Sequence, residues 1–385
     1  MQSNNENRND EWEREIAEEE ADRLRKSEPP PKLCREEFLL WRSPRTVGAN
    51  PTGLDNPLWH WLARTRWDAY NANNLYSGPS AFDAGPMWTF QRFGMSETTL
   101  PNGSVVYIGG EHEDHYDPDF FIYNDVTVID HSGNIAIHGY PVEAFQPTDF
   151  HSATRVGDEL FIIGCLGYPD RRMIGVTPVY KLLLSSMRIQ AIETRGEPPG
   201  WIYKHTATLA EDGRSIIVKR GERWLGNDRA TIENIDAWEF NTQSGYWRRL
   251  TKHKWQRWTM RRVDRKPNRL WDIRQALWNH KHAHLALENH WAFKDKPDFV
   301  ALAMLYRLSE ETPPPSNGPG FNDFSVEIDG LRVRFRESRF WVEAIVEGEL
   351  MPERLSALRE TTLALLERLE AAPWEIEGGT VERKA

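Results

Sequence analysis

Between Glu111 and Asp119 the sequence EHEDHYDPD packs two histidines and five carboxylates into nine residues. Side chains of these types could do three things. His112 and His115 with Asp117 or Asp119 could ligate a divalent ion, since imidazole and carboxylate suit Zn, Mn or Fe. Paired carboxylates beside histidine could perform acid–base chemistry on a sugar. Alternatively the stretch is a polar recognition loop whose carboxylates pair with arginines brought from elsewhere. No established metal-ligand spacing is matched, and the third reading is the one the sequence favours. Two other clusters carry chemistry-bearing residues. His280 and His284 stand four apart, but no carboxylate lies between them in the order a metalloprotease needs. Residues 251–266 (TKHKWQRWTMRRVDRK) interleave seven Lys and Arg with Trp255 and Trp258, a texture that suits single-stranded nucleic acid. No Ser-His-Asp order, phosphate-binding glycine loop or Cys-x-x-Cys appears, so no catalytic residue, metal or cofactor is assigned.

Composition narrows the partners. The chain of 385 residues carries a net charge of −10, which argues against non-specific nucleic-acid binding and leaves 251–266 as the sole hint of it. Cys34 and Cys165 are the only cysteines, so no disulfide framework is implied. MQSNNENRND lacks an apolar signal core, and no run approaches ~18 apolar residues. The expectation is a cytoplasmic protein without a membrane partner.

The elements that must position the 111–119 loop repeat. TTLPNGSVVYIGG (98–110), HSATRVGDELFIIGC (151–165) and HTATLAEDGRSIIVKRG (205–221) each run from hydroxyl-bearing residues through a turn and an apolar strand to a glycine. Gly109, Gly164 and Gly221 are 55 and 57 residues apart, and His151 and His205 are 54 apart. A second strand follows in each unit: YNDVTVID (123–130), TPVYKLLL (177–184) and NIDAWEF (234–240). A fixed period of several short strands is the mark of propeller blades. The glycines fit where a side chain would clash, and the repeated His is expected to hydrogen-bond within its own blade.

The order HSAT, HTAT, IGG, YNDV and SGYWRRL over residues 95–250 resembles the kelch-repeat family. Only the first unit keeps Gly-Gly (Gly109, Gly110), and three units are visible where a closed ring usually takes four to eight. The resemblance implies a mainly β chain, a kelch-like β-propeller followed by a smaller α+β C-terminal region. It implies that equivalent intra-blade loops gather on one face. That face would carry Glu111, His112, Asp114, His115 and Asp117 from the first unit, Arg171 and Arg172 from the second, and Arg223, Trp224 and Arg229 from the third. The function expected is recognition of a protein partner through these loops, in an adaptor or immunity-type role. The alternative, implied by kelch-family sialic-acid epimerases and copper galactose oxidases, is an enzyme acting on a small-molecule carbohydrate, with or without a metal.

Around this centre, residues 1–49 read as a solvated arm and linker. The aromatic segment opening 50–250 is expected to add strands. Residues 251–310 read as a basic linker and helices, including one over 298–308. Residues 311–385 read as a linker and a β-β-β-α unit, with Asp329-Gly330 turning the first hairpin and a helix from Pro352 to about residue 370.

Overall fold

Residues 18–113, 119–226, 231–272 and 323–377 are described in a computed structural model. The chain forms two compact units, Met1–Thr251 and Lys252–Ala385. It is mainly β, built from antiparallel sheets with few helices. Among the described residues no helix is long and apolar enough to cross a membrane.

The first unit contains three four-stranded antiparallel meanders. The first is β1 (Ser96–Thr99), β2 (Val105–Ile108), β3 (Val126–Ile129) and β4 (Ile135–Gly139). The second is β5 (Ser152–Val156), β6 (Glu159–Ile163), β7 (Val179–Leu183) and β8 (Arg188–Ala191). The third is β9 (Thr206–Leu209), β10 (Ser215–Lys219), β11 (Trp238–Asn241) and β12 (Tyr246–Arg249). Short edge strands lengthen two of them. Thr52–Gly53 pairs with β4, and Arg195–Gly196 runs parallel to β12.

The sheets pack face to face, as the apolar runs require. Val106, Ile108 and Val126 of the first meet Leu160, Ile162 and Leu182 of the second. From the opposite face of the second, Phe161, Ile163 and Val179 meet Ile216, Val218, Trp238 and Trp247 of the third. Strands buried between layers lose their polar face and read as continuous hydrophobic stretches.

The same contacts recur from one sheet to the next. Gly94, Phe150 and Lys204, just ahead of β1, β5 and β9, all have left-handed φ of 62°, 50° and 53°. The Phe150 N–H donates to the Gly94 carbonyl and the Lys204 N–H to the Phe150 carbonyl, both at 2.8 Å. The His151 ring contacts the Ser96 hydroxyl of the preceding sheet, and the His205 ring contacts that of Ser152. The repeated histidine therefore ties neighbouring sheets together instead of bonding within its own, because the ring lies in the seam between adjacent first strands.

The two end sheets differ. The outer face of the first is covered by helices α1 (Arg35–Trp41), α2 (Pro57–Thr65) and α3 (Ala69–Leu75), with Trp59 stacked on Trp88 at 4.8 Å. Each such buried ring supplies about 2–3 kcal/mol of transfer free energy. On the outer face of the third sheet Glu239 pairs with Arg248 beside Thr208 and Asn241, a polar surface. Four or more sheets in a closed ring are not found among the described residues. The strands expected across 50–95 are largely helices. Asn56 accepts from Leu58 N–H and Trp59 N–H with Pro57 in the first turn, and Asp68 caps α3. Caps decide this segment where hydrophobic alternation is lacking. The arm is also anchored, since carbonyls of Lys26, Glu28 and Pro31 accept from Trp67, Trp61 and Tyr76.

The second unit is a five-stranded sheet, β14 (Asp323–Ile328), β15 (Leu331–Glu337), β16 (Val342–Val346), β13 (Gln256–Arg262) and β17 (Trp374–Glu377) in spatial order, with α4 (Pro352–Glu370). The stretch read as a basic linker is the internal strand β13. Its cations have partners: Arg257 on Glu343, Arg261 on Glu377, and Arg262 on Asp264 and Glu370. Trp258 and Met260 face the core, whereas Trp255, just ahead of the strand, is half-buried under the Arg334 guanidinium. Asp329 and Gly330 both take positive φ, as a tight hairpin requires. The His280 and His284 pair, the helix over 298–308 and the linker over 311–320 lie outside the described residues.

Candidate functional site

Topology assigns the loops to ends. In each meander the first-to-second and third-to-fourth connections are tight turns at one end of the sheet. The second-to-third connections, 109–125, 164–178 and 220–237, leave from the other end. Loops of adjacent meanders touch there. The Ile122 N–H donates to the Tyr168 hydroxyl at 2.9 Å, and Phe120 meets the Tyr168 ring edge-on at 5.9 Å. A Cβ at Gly226, in the third meander's loop, would stand 3.3 Å from Ile174 in the second meander's loop. The three loops share one rim.

On the first meander's side of that rim lies an open groove of about 660 Å³. Phe90, Phe93, Met95 and Tyr107 give it an apolar floor, and its walls carry four carboxylates, Asp68, Glu97, Glu111 and Glu113, against the one half-buried cation Arg66 besides the internally paired Arg92. Phe93 is 63% exposed, unusual for a phenylalanine beside such a cavity. Glu111 is fixed at backbone level, exchanging hydrogen bonds with Phe93 and pairing with Ile122 across a short hairpin.

A buried arginine holds the groove's inner wall. Arg92 donates to Asp125 through Nη1 and Nη2, at 2.5 and 3.0 Å, and to the carbonyls of Thr89 and Gly109. The Trp88 indole donates to the same carboxylate at 2.7 Å, and the Arg92 guanidinium lies 3.5 Å from the Tyr123 ring centre. The Arg92 side chain is only 2% exposed, so this cation is scaffold and not bait.

Burial, reinforced by Asp149 and Glu113, pushes the Glu111 carboxyl above its ordinary range. Asp149, buried beneath the rim, is also raised by burial, and the Gly167 N–H bonded to it and the Arg172 charge offset part of that. Cys165 beside it is pushed up to about 12 by burial, an inert thiol at neutral pH.

The residues picked from sequence divide as follows. Glu111 and His112 line the groove, and the His112 ring lies 3.2 Å from Asp119 within its own loop. Asp114, His115, Asp117 and Arg229 lie outside the described residues. Arg172 points inward and donates to the Leu166 and Gly167 carbonyls. Arg171 is exposed, its nearest carboxylate the adjacent Asp170. Arg223 is half-buried over the Trp238 ring, and Trp224 faces Trp201 across a three-stranded sheet. Among the described residues no ion pair joins the first loop's carboxylates to Arg171, Arg172 or Arg223; the charges share a rim without pairing across it. Nor do three or more His, Cys, Asp or Glu side chains gather there as a metal-ligating group.

Neither a known protein family nor a curated protein matches the chain.

Of the groove's thirteen lining residues, sequence reasoning names only Glu111 and His112 and misses the rest, Arg66, Asp68, Arg92, Phe93 and Glu97 among them. The signal available was WTFQRFGM (88–95), where aromatics alternate with polar residues directly before the first repeat. Asp149 carried none beyond its place two residues before the repeated histidine.

Proposed function

We propose that the chain is a kelch-like binding module that recognises a protein partner through the rim of converging loops. The observation that carries this reading is the groove itself, an acidic-walled cavity with an exposed phenylalanine on its floor, held by a buried Arg92–Asp125 scaffold. Such a surface suits a partner segment that presents basic side chains around an apolar anchor, because rigid sheets position loops for recognition. Three sheets repeating the same inter-sheet contacts support the kelch-like reading. An adaptor or immunity-type role in the cytoplasm fits this design at the level of fold analogy.

The test is affinity capture from the native host with wild type, Phe93→Ser and a Glu97→Lys/Glu113→Lys double variant. A partner recovered by wild type and lost at least tenfold by both variants supports the groove. Equal recovery by all three forms overturns it.

A second reading rests on the raised carboxyl of Glu111 beside Asp149, which suits a general acid in a carbohydrate-acting enzyme. Turnover of a sugar substrate that falls ~100-fold or more in Glu111→Gln would favour it. Tight partner binding without turnover favours recognition.

A further inference from the structure

On the third meander's side of the rim, Arg223 sits in the strand Glu222–Trp224, where alternation sends its side chain to the face opposite Glu222. Glu222 accepts from the Tyr203 hydroxyl at 3.0 Å, whereas the Arg223 guanidinium lies 5.5 Å from the Trp238 ring centre. Arg249 lies at 5.4 Å from the same ring. The two guanidiniums differ in one respect. Arg249 is satisfied by Asp236 at 2.5 Å and Glu197 at 3.2 Å. Arg223 has no hydrogen bond or ion pair among the described residues, and its Nε is buried without an acceptor. The indole Nε1 of Trp238, only 1% exposed, is a second buried donor without an acceptor next to it.

Among the described residues, backbone without a side chain flanks the Arg223 guanidinium at Gly200. A Cβ at Gly200 would stand 3.6 Å from Nη2, 3.9 Å from Nε and 3.9 Å from the Cα of Gly175. Both glycines have positive φ, 87° at Gly200 and 78° at Gly175, so an L side chain there is strained as well as obstructive. The Asp236 and Glu197 carboxylates act on the half-buried Arg223 guanidinium only through space and are hydrogen-bonded to Arg249, whose own charge opposes them, so the Arg223 donors stay unfilled and stacking on tryptophan returns only part of the desolvation cost. An arginine kept in this state is suited to a planar oxyanion, which its forked donors match with two parallel hydrogen bonds.

We propose that Arg223 is an oxyanion-binding residue and that the third meander's side of the rim takes a carboxylate or phosphate group. The inference deepens the recognition reading only in naming the source of that group, an acidic or phosphorylated side chain of the partner. The partner then presents both signs of charge, basic to the first meander's groove and acidic to Arg223.

The test uses acetate and inorganic phosphate as probes on the full chain, with sodium chloride at matched ionic strength as the blank. The Arg223 Nε–Hε and Trp238 indole resonances should shift saturably in the millimolar range with either probe and not with chloride. A lower apparent Kd for acetate marks a carboxylate source, and a lower one for phosphate marks a phosphorylated source. In Arg223→Gln the Trp238 response should weaken at least tenfold. A stability measurement keeps the question open to refutation if that variant behaves poorly. Arg223→Met should melt no lower than wild type without probe and should lose the probe-dependent rise in Tm. Absence of any saturable shift overturns the inference, as does a variant whose response to phosphate and acetate equals wild type. Failure here with groove-dependent capture intact sinks this inference alone, while probe binding without groove-dependent capture sinks the recognition reading alone.

Discussion

The Nε2 atom of His205 lies 2.8 Å from the hydroxyl of Ser152 on the neighbouring sheet, and the His151 ring stands in the same relation to Ser96 at 2.7 Å. Burial pushes both imidazoles down, to about 4 and about 3, so the folded protein holds them neutral. The unfolded chain takes up these protons near the ordinary histidine value of about 6.5. The stability they contribute is complete above that pH and is lost as pH falls toward the folded values. In denaturant melts, wild type should lose up to about 1.4 kcal/mol per pH unit per histidine between pH 6 and pH 4.5, relative to a His151→Gln/His205→Gln variant. Parallel pH profiles for the two proteins would contradict the seam role.

Gly109 and Gly164 should tolerate no side chain. A Cβ at either would lie 2.3 Å from a backbone oxygen, that of Thr148 or Ile202, and both residues have positive φ. Gly109→Ala and Gly164→Ala should each cost at least ~3 kcal/mol, combining left-handed strain of ~1 kcal/mol with displacement of the adjoining segment. Gly157 shares the positive φ but has open space around it, so Gly157→Ala should cost about 1 kcal/mol. Chemical denaturation of the three variants reads the difference.

Removing one member of the Arg92–Asp125 pair leaves the other charge buried. Asp125→Ala should destabilise by about 3–5 kcal/mol. Adding Arg92→Met should recover part of that loss, because no uncompensated charge then remains. A double variant as unstable as the sum of the two singles would contradict the pairing.

Phe93 is on the groove floor but contributes little buried area. Phe93→Ser should change stability by no more than ~0.5 kcal/mol in a thermal melt while weakening partner binding at least tenfold. A large stability loss would make Phe93 a structural residue.

The three sheets were legible because each repeats a hydroxyl-bearing lead, an apolar strand and a glycine that a close backbone contact demands. Burial on both faces of VVYI and LFII was equally legible from their lack of alternation. The seam role of His151 and His205 was not, since one sequence period does not say whether a side chain bonds inward or to the next copy. Phe150 and Lys204 adopt left-handed backbone with no glycine to announce it. Residues 57–75 read as irregular aromatic chain expected to add strands to the repeat, and the helices there are announced only by their caps, Asn56 and Asp68. Strand β13 reads as a linker because its cations outnumber its apolar residues and their carboxylate partners come from far along the chain. The groove joins residues 66–68, 90–97 and 107–113, a juxtaposition only the fold creates.

Hydrogen exchange of the chain with its captured partner tests the shared rim most directly. Protection is expected at 90–97, 107–113, 167–176 and 222–226 together, drawn from all three meanders. Protection confined to the opposite turns at 100–104, 157–158, 210–214 and 242–245, or to the second unit, would contradict recognition through the rim.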